Sequence, residues 1–330
     1  MMKKVRIAQI GIGHDHCDII RTLYELPETF EVVGYHIPES EQGRFQHFLP
    51  FFEGCRELTL EQILNDPTIE AVVIETEEVN LVKYATLAAQ AGKHIHMDKP
   101  GGFKLEDFEA LIELVRSKHL TLHLGYMYRY NPVIGKVLER AKNGEFGEIF
   151  HVDAQMNTYL PKEKRQWMQT LPGGMTFYLG CHLIDLLLQL QGIPKDIHSY
   201  TCSTGVEGVS GKDFSMFVFR YDNGSSVAKA CCTEYGGFKR RQLTICGTKG
   251  TVEIKPMEIR PPEGGQFTDA TEYYPKTAEE PIISYRSEKF TRYGKMMEAF
   301  GQMVRGEKEN PYTYDYELSL YKLVLRCCEM

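Results

Sequence analysis

An amine and an imidazole stand out in this chain for where they fall. Lys99 belongs to Asp98-Lys99-Pro100-Gly101-Gly102, which closes an apolar run, and His182 to Gly180-Cys181-His182-Leu183-Ile184-Asp185, which opens a leucine-rich stretch. A lysine at the carboxyl end of a strand sits where ligands bind in open α/β sheets. Its bland reading is a surface lysine in a Lys-Pro turn, and the placement favours function. His182 and Asp185 share one face of a helix whose Leu183, Leu186, Leu187 and Leu190 would be buried. A histidine at such an edge beside a carboxylate can act as a general base. Taken alone it reads as a satisfied structural histidine, but Gly173-Gly174 and Gly180 indicate close backbone approach and move the balance toward a site. Delivered from separate regions, the two groups imply a cleft in which protons move, and a redox enzyme is the leading reading.

Gly11-Ile12-Gly13 falls between a strand and a helix, where a dinucleotide fingerprint belongs. The first glycine permits the tight turn, and the second lets a pyrophosphate approach the backbone. The third fingerprint position is His16, not glycine, and an acidic residue for the adenosine ribose is missing from Val32-Val33-Gly34-Tyr35-His36-Ile37. Glu39 lies just beyond. No nearby arginine suits a 2′-phosphate, so NAD and NADP both stay open. Glu75, Glu77 and Glu78 would oppose phosphates if they faced them, and some are expected to point to solvent. His14-Asp15-His16-Cys17 invites a metal reading, because His-x-His after a first strand suits zinc in (β/α)₈ hydrolases. The second half of the chain cannot complete eight βα units, so no metal is expected.

These residues need elements to hold them. Residues 1–124 alternate strand and helix patterns at βαβ spacing. Val5–Ile10, Phe30–Tyr35, Ala71–Ile74, His94–Met97 and Thr121–Leu124 read as buried parallel strands, and a helix is expected from Asp15 onward. Leu105, Phe108, Leu111, Ile112 and Val115 line one face of another helix. From 125 to 330 the rhythm changes. Asn131-Pro132 precedes a helix through Lys142, and Glu148–Met156, Phe214–Tyr221, Ser226–Thr233, Gln242–Ile245 and Thr251–Ile254 read as strands, with Asp222-Asn223-Gly224 as a hairpin turn. Pro261-Pro262 and Gly264-Gly265 mark a surface loop, and helices near Thr291–Arg305 and Tyr316–Cys328 close the chain. The expectation is a parallel α/β domain over 1–124 and an α+β domain with a mostly antiparallel sheet over 125–330.

The 330 residues suit two domains, and a net charge of −7 argues against nucleic-acid binding. No apolar run reaches a membrane span. Nine cysteines, including the adjacent pairs Cys231-Cys232 and Cys327-Cys328, form no disulfide framework and suit reduced thiols in the cytoplasm.

Taken in order, several segments resemble the glucose–fructose oxidoreductase / inositol dehydrogenase (Gfo/Idh/MocA) superfamily. They are the strand leading to Gly11-x-Gly13, Ala71-Val72-Val73-Ile74-Glu75-Thr76, Ala91-Gly92-Lys93-His94 leading to Asp98-Lys99-Pro100, Arg129-Tyr130-Asn131-Pro132, Gly144-Glu145-Phe146-Gly147-Glu148-Ile149, the His182 segment, and Gly247-Thr248-Lys249-Gly250-Thr251. The resemblance implies a Rossmann domain followed by a domain whose open sheet often builds a dimer, and hence a homo-oligomer (dimer or tetramer). It implies NAD or NADP held by Gly11, Ile12, Gly13, His14, Asp15, Thr76, Asp98, Lys99 and Arg129, with the nicotinamide near Lys99 and His182. It also implies a sugar-like or cyclitol substrate whose secondary alcohol loses a hydride. The family lysine corresponds to Lys99 and its histidine to His182.

This sequence departs from the family in three places. Asp98 replaces a glutamate, Thr76-Glu77-Glu78 stands where Thr-Pro-Asn is usual, and Tyr178 occupies a position often held by aspartate. Tyr178 would then exchange the proton or Asp185 would orient His182. Trp167, Tyr178, His182 and Tyr235 are expected to meet the substrate, while Lys239-Arg240-Arg241 reads as facing either an acidic substrate or solvent. The alternatives are a degenerate member that binds a metabolite, or a lyase or glycosidase using tightly bound NAD.

Overall fold

The computed structural model describes residues 3–329. The chain divides into two compact units: one runs to Met127 and adds Tyr293–Tyr321, and the other holds Tyr128–Arg292 with the segment from Lys322 onward. The segment Tyr293–Tyr321 thus falls in the first unit, where the sequence grouped it with residues 125–330.

The first unit is built on five parallel strands, β1 (Val5–Ile10), β2 (Phe30–His36), β3 (Ala71–Ile74), β4 (His94–Met97) and β5 (Leu122–Leu124), in the order β2-β1-β3-β4-β5. Every residue of β3 is buried, which is why these strands read as unbroken apolar runs. On the helix Leu105–Ser117, Phe108, Leu111, Ile112 and Val115 are the buried residues. The sheet is wound outward in both directions from β1 and β3, so the crevice at their carboxyl ends is a topological switch point. The residues after β1, β3 and β4 gather there. The helix after β1 begins at Ile19, not Asp15. Residues 14–18 form turns instead, with Cys17 N–H donating to the His14 carbonyl and Ile19 N–H to the His16 carbonyl.

The helix Gly294–Val304 buries Met296, Met297, Phe300 and Met303. Phe300 stacks on His123 with ring centroids 5.4 Å apart and lies 5.8 Å from His96. Those histidines come from β5 and β4, so the helix completes the packing of the parallel sheet.

The second unit is built on eight strands: β6 (Ile149–Asn157), β7 (Asp196–Cys202), β8 (Phe214–Arg220), β9 (Ser225–Cys231), β10 (Gln242–Gly247), β11 (Thr251–Ile254), β12 (Asp269–Tyr273) and β13 (Ile282–Arg286). Their order is β13-β12-β11-β10-β6-β9-β8-β7. Only β6 and β9 run parallel; the other pairs are antiparallel, and the Asp222-Asn223-Gly224 turn joins β8 to β9. β7, β12 and β13 give no apolar run in the sequence, since β13 for example has no fully buried residue. Helix Cys181–Gln191 packs on β6 and β9 with eight successive residues, Cys181 to Leu188, buried.

Candidate functional site

Gly11 ends β1 with φ +98, and a Cβ there would lie 2.5 Å from the Thr76 nitrogen. Glycine is therefore what lets the loop after β1 pass against the end of β3. The loop presents two backbone N–H groups to one carboxylate. Ile12 and Gly13 donate to Glu41 Oε2 at 2.7 and 2.9 Å, and Glu77 N–H donates to Glu41 Oε1 at 2.8 Å. Glu41 is fully buried, and burial pushes its pKa above the ordinary value while the three amides pull it back. A Cβ on Gly13 would lie 2.7 Å from the same carboxylate. Backbone amides arranged in this way form an anion-binding nest. Glu77 itself turns away to a two-pronged pair with Arg44, at 2.7 and 2.8 Å.

Deeper in the crevice, His14 and His16 converge on Asp98. Their Nδ1 atoms lie 2.9 and 2.8 Å from Asp98 Oδ2. Burial opposes the charge on Asp98, but the two imidazoles hold it well below the usual carboxylate range. For His14 burial again opposes the charged form, and Asp98, Glu75 and Glu78 raise its pKa well above the histidine norm. The other oxygen of Asp98 accepts the Lys99 N–H at 2.6 Å, fixing the backbone of a lysine that is itself buried. Glu75 is fully buried against His14, Oε2 to Nδ1 at 3.4 Å, and burial followed by the Asp98 charge raises its pKa well above normal. His96 lies behind it with its pKa pushed down to about 4 by burial. Glu75 and Glu78 are both buried, and of the three acids only Glu77 turns outward; the turn that withholds a helix until Ile19 carries His14 inward to meet the buried pair.

In the second unit, His182 is buried on the first turn of helix Cys181–Gln191, its ring 5.2 Å from that of Tyr128 at 82°. Tyr128 donates to Glu258 at 2.8 Å, and Arg241 donates to the same oxygen at 2.7 Å. Arg241 is thus buried on Glu258, whereas Lys239 and Arg240 are exposed. Asp185, one turn beyond His182, receives Arg129 in a two-pronged pair at 3.0 and 2.8 Å and Gln189 at 3.0 Å. Its carboxylate is paired with Arg129, which ties Arg129 to the helix of His182.

Tyr178 lies in a π-helical turn, Thr176–Gly180, a distortion common at functional sites. Its ring meets Trp167 edge-on at 5.9 Å, and the Lys164 ammonium sits 3.6 Å from the Trp167 centroid. Tyr235 stacks on Tyr159 at 4.5 Å and is 79% exposed. The second unit therefore pairs Trp167 with Tyr178 and Tyr235 with Tyr159. Sequence reasoning missed Glu41, Tyr128 and Glu258. Glu41 follows β2 where an acid is expected, two residues past Glu39, and that is the signal that could have found it.

One family model, described as an oxidoreductase family with an NAD-binding Rossmann fold, matches residues 5–126, and a second, the GFO/IDH/MocA C-terminal domain, matches residues 134–253. The chain belongs to the Gfo/Idh/MocA family. Among its Gfo/Idh/MocA relatives, scyllo-inositol 2-dehydrogenase (NADP(+)) of Bacillus subtilis is 29% identical over 140 residues, 42% of this chain and 39% of that protein. Trans-1,2-dihydrobenzene-1,2-diol dehydrogenase of Danio rerio is 23% identical over 246 residues, 74% of this chain and 71% of that protein. Across the first and two further curated relatives the match spans 39–58% of their own length. The fold is shared with UDP-N-acetylglucosamine 3-dehydrogenase of Acidithiobacillus ferrooxidans, at a TM-score of 0.77 and 17% identity, covering 98% of this chain and 97% of that one.

The Gfo/Idh/MocA cofactor is NAD or NADP. The first unit offers the donors a dinucleotide phosphate requires, because the nest already holds an anion, the Glu41 carboxylate. Glu41 must withdraw before a phosphate can take those N–H groups. Among the described residues, no helix is long and apolar enough to cross a membrane.

Proposed function

We propose that this protein is an NAD(P)-dependent oxidoreductase acting on a secondary alcohol of a sugar, sugar acid or cyclitol, in the cytoplasm and as a homo-oligomer. The observation that carries the reading is the nest after β1, whose Ile12 and Gly13 amides converge on a carboxylate at the switch point of the parallel sheet. Nicotinamide supplies the hydride acceptor when bound. Lys99 hydrogen-bonds the substrate oxygen and stabilises its developing negative charge, while His182 takes the hydroxyl proton. Arg129 and Asp185 act as positioning residues, since their pair fixes the turn of helix that carries His182. Trp167 and Tyr178 offer aromatic faces suited to a carbohydrate ring.

Glu41 favours a second reading. A nest closed by the chain's own buried carboxylate suits a member that binds a metabolite without turning over free dinucleotide. Titration with NAD⁺, NADH, NADP⁺ and NADPH, after a check for cofactor already retained, separates the two. Micromolar binding followed by reduction across a sugar and polyol panel supports the first reading. Retained cofactor without net NADH production points to a lyase or glycosidase using transient oxidation. No binding, with thermal stabilisation by a sugar, supports the second reading and sinks the first.

A further inference from the structure

Three groups at the carboxyl end of the parallel sheet carry a property the redox reading does not use. His14 and His16 come from the turn after β1 and Asp98 from the end of β4, and one ligand atom from each lies within 4.8 Å of the others. We propose that His14, His16 and Asp98 bind a divalent first-row metal ion of the zinc class (Zn²⁺, Co²⁺, Fe²⁺ or Mn²⁺), with Glu75 as the charge-balancing carboxylate beside them.

The donor set is the first argument. Two imidazoles and one carboxylate suit borderline dications and leave coordination positions open for water or substrate. The contacts are those of ligands gathered around one point: both Nδ1 atoms approach a single carboxylate oxygen, at 2.9 and 2.8 Å. The surroundings are the second argument. Ligating imidazoles are held by carboxylates on the far side of the ring. Here Glu78 lies 3.6 Å from His14 Nε2, the nitrogen turned away from Asp98, while Glu75 lies 3.4 Å from Nδ1 on the ligand side.

An independent observation comes from unmet polar atoms. Among the described residues, both carboxylate oxygens of Glu75 and Nε2 of His14 are buried with no hydrogen-bond partner. Glu75 is 0% exposed and His14 is 1% exposed. Buried polar atoms left without a hydrogen bond are costly, and the His14 ring at 3.4 Å is the nearest cationic group Glu75 has. A dication on the His14–His16–Asp98 triad would stand next to Glu75 and balance it. The backbone makes the same choice. A helix begun at Asp15 would set His14 and His16 among its first residues; the turns through Asp18 instead send both rings to Asp98.

The test uses the full-length chain without a histidine tag. Elemental analysis of the purified protein comes first, then chelator dialysis and titration with Zn²⁺ and with Co²⁺, whose visible absorption reports bound nitrogen ligands. The expected result is about one ion per chain and cobalt bands that zinc abolishes. His14→Gln and His16→Gln should each weaken binding by more than ~100-fold, and Glu75→Gln by ~10–100-fold, as for partners beside a ligand. His16 is partly exposed, so His16→Gln folds normally by circular dichroism even if His14→Gln does not.

No ion bound at micromolar metal, or unchanged affinity in folded His16→Gln, overturns the proposal. The readout is metal, not nicotinamide, so it stands or falls apart from the dehydrogenase reading.

Discussion

Under the proposed function, Glu41 is the residue on which dinucleotide binding turns. Its carboxylate takes two N–H groups of the glycine loop and a third from Glu77. Glu41→Ala frees these donors without adding bulk, and we expect dinucleotide affinity to rise by about tenfold or more, which is ~1.4 kcal/mol. Isothermal titration of both proteins checks it, and equal or weaker binding by the variant would show that the carboxylate does not compete.

A second residue, Glu258, supports His182 through Tyr128. Burial opposes its charge, but Arg292, Arg241 and Tyr128 hold its pKa below the ordinary glutamate value. A depressed folded-state pKa stabilises fully above the unfolded value and is lost as pH falls through the folded one. Glu258→Gln leaves Arg241 buried without its charged partner and should cost about 3–5 kcal/mol near neutral pH. The gap from wild type should narrow in acid, below the usual carboxylate range. Denaturant melts at several pH values measure it, and a gap independent of pH would mean the charge is not what Glu258 contributes.

At the scale of elements, the loop from Gly11 to Asp18 does two jobs that a regular fingerprint helix would not combine. Its start forms the nest and its end turns two histidines inward. Gly11 cannot be exchanged, because φ is +98 and a Cβ would press on the Thr76 nitrogen at 2.5 Å. Gly11→Ala should abolish dinucleotide binding and destabilise the protein by about 1–3 kcal/mol through backbone strain; calorimetry and titration on one preparation test both. The helix Pro132–Lys142 shows the opposite, purely local logic. Asn131 Oδ1 accepts from Val133 and Ile134 N–H at 3.0 and 3.1 Å, an N-cap followed by proline, and both were legible in Asn131-Pro132.

At the scale of the molecule, the first unit depends on a segment that arrives from far along the chain. Phe300 is fully buried and covers His96 and His123, whose Nδ1 atoms lie 2.8 Å apart. Phe300→Ala should cost about 3–5 kcal/mol and lower the melting of the parallel-sheet unit. A fragment ending at Met127 should fail to give a cooperative transition, and a native-like melt of that fragment would contradict the assignment of residues 293–321. The proposed homo-oligomer is read directly by sedimentation, where a monomer at micromolar concentration removes it.

The sequence by itself determined what short-range physics writes. The parallel strands show as unbroken apolar runs because both sheet faces are covered, the helices as apolar stripes at their own period, and the β8–β9 turn as Asp222-Asn223-Gly224. Family membership was legible for the same reason, in motifs that are each a few residues long. Only the tertiary structure decided the rest. Glu41 reaches back across nearly thirty positions to the glycine loop, Asp98 collects histidines from the first loop of the chain, and Arg241 buries its charge on Glu258. A charged residue's local pattern is the same whether it faces water or a buried partner. Its partner is fixed by where the sheet ends bring distant loops together, and that is a property of the fold.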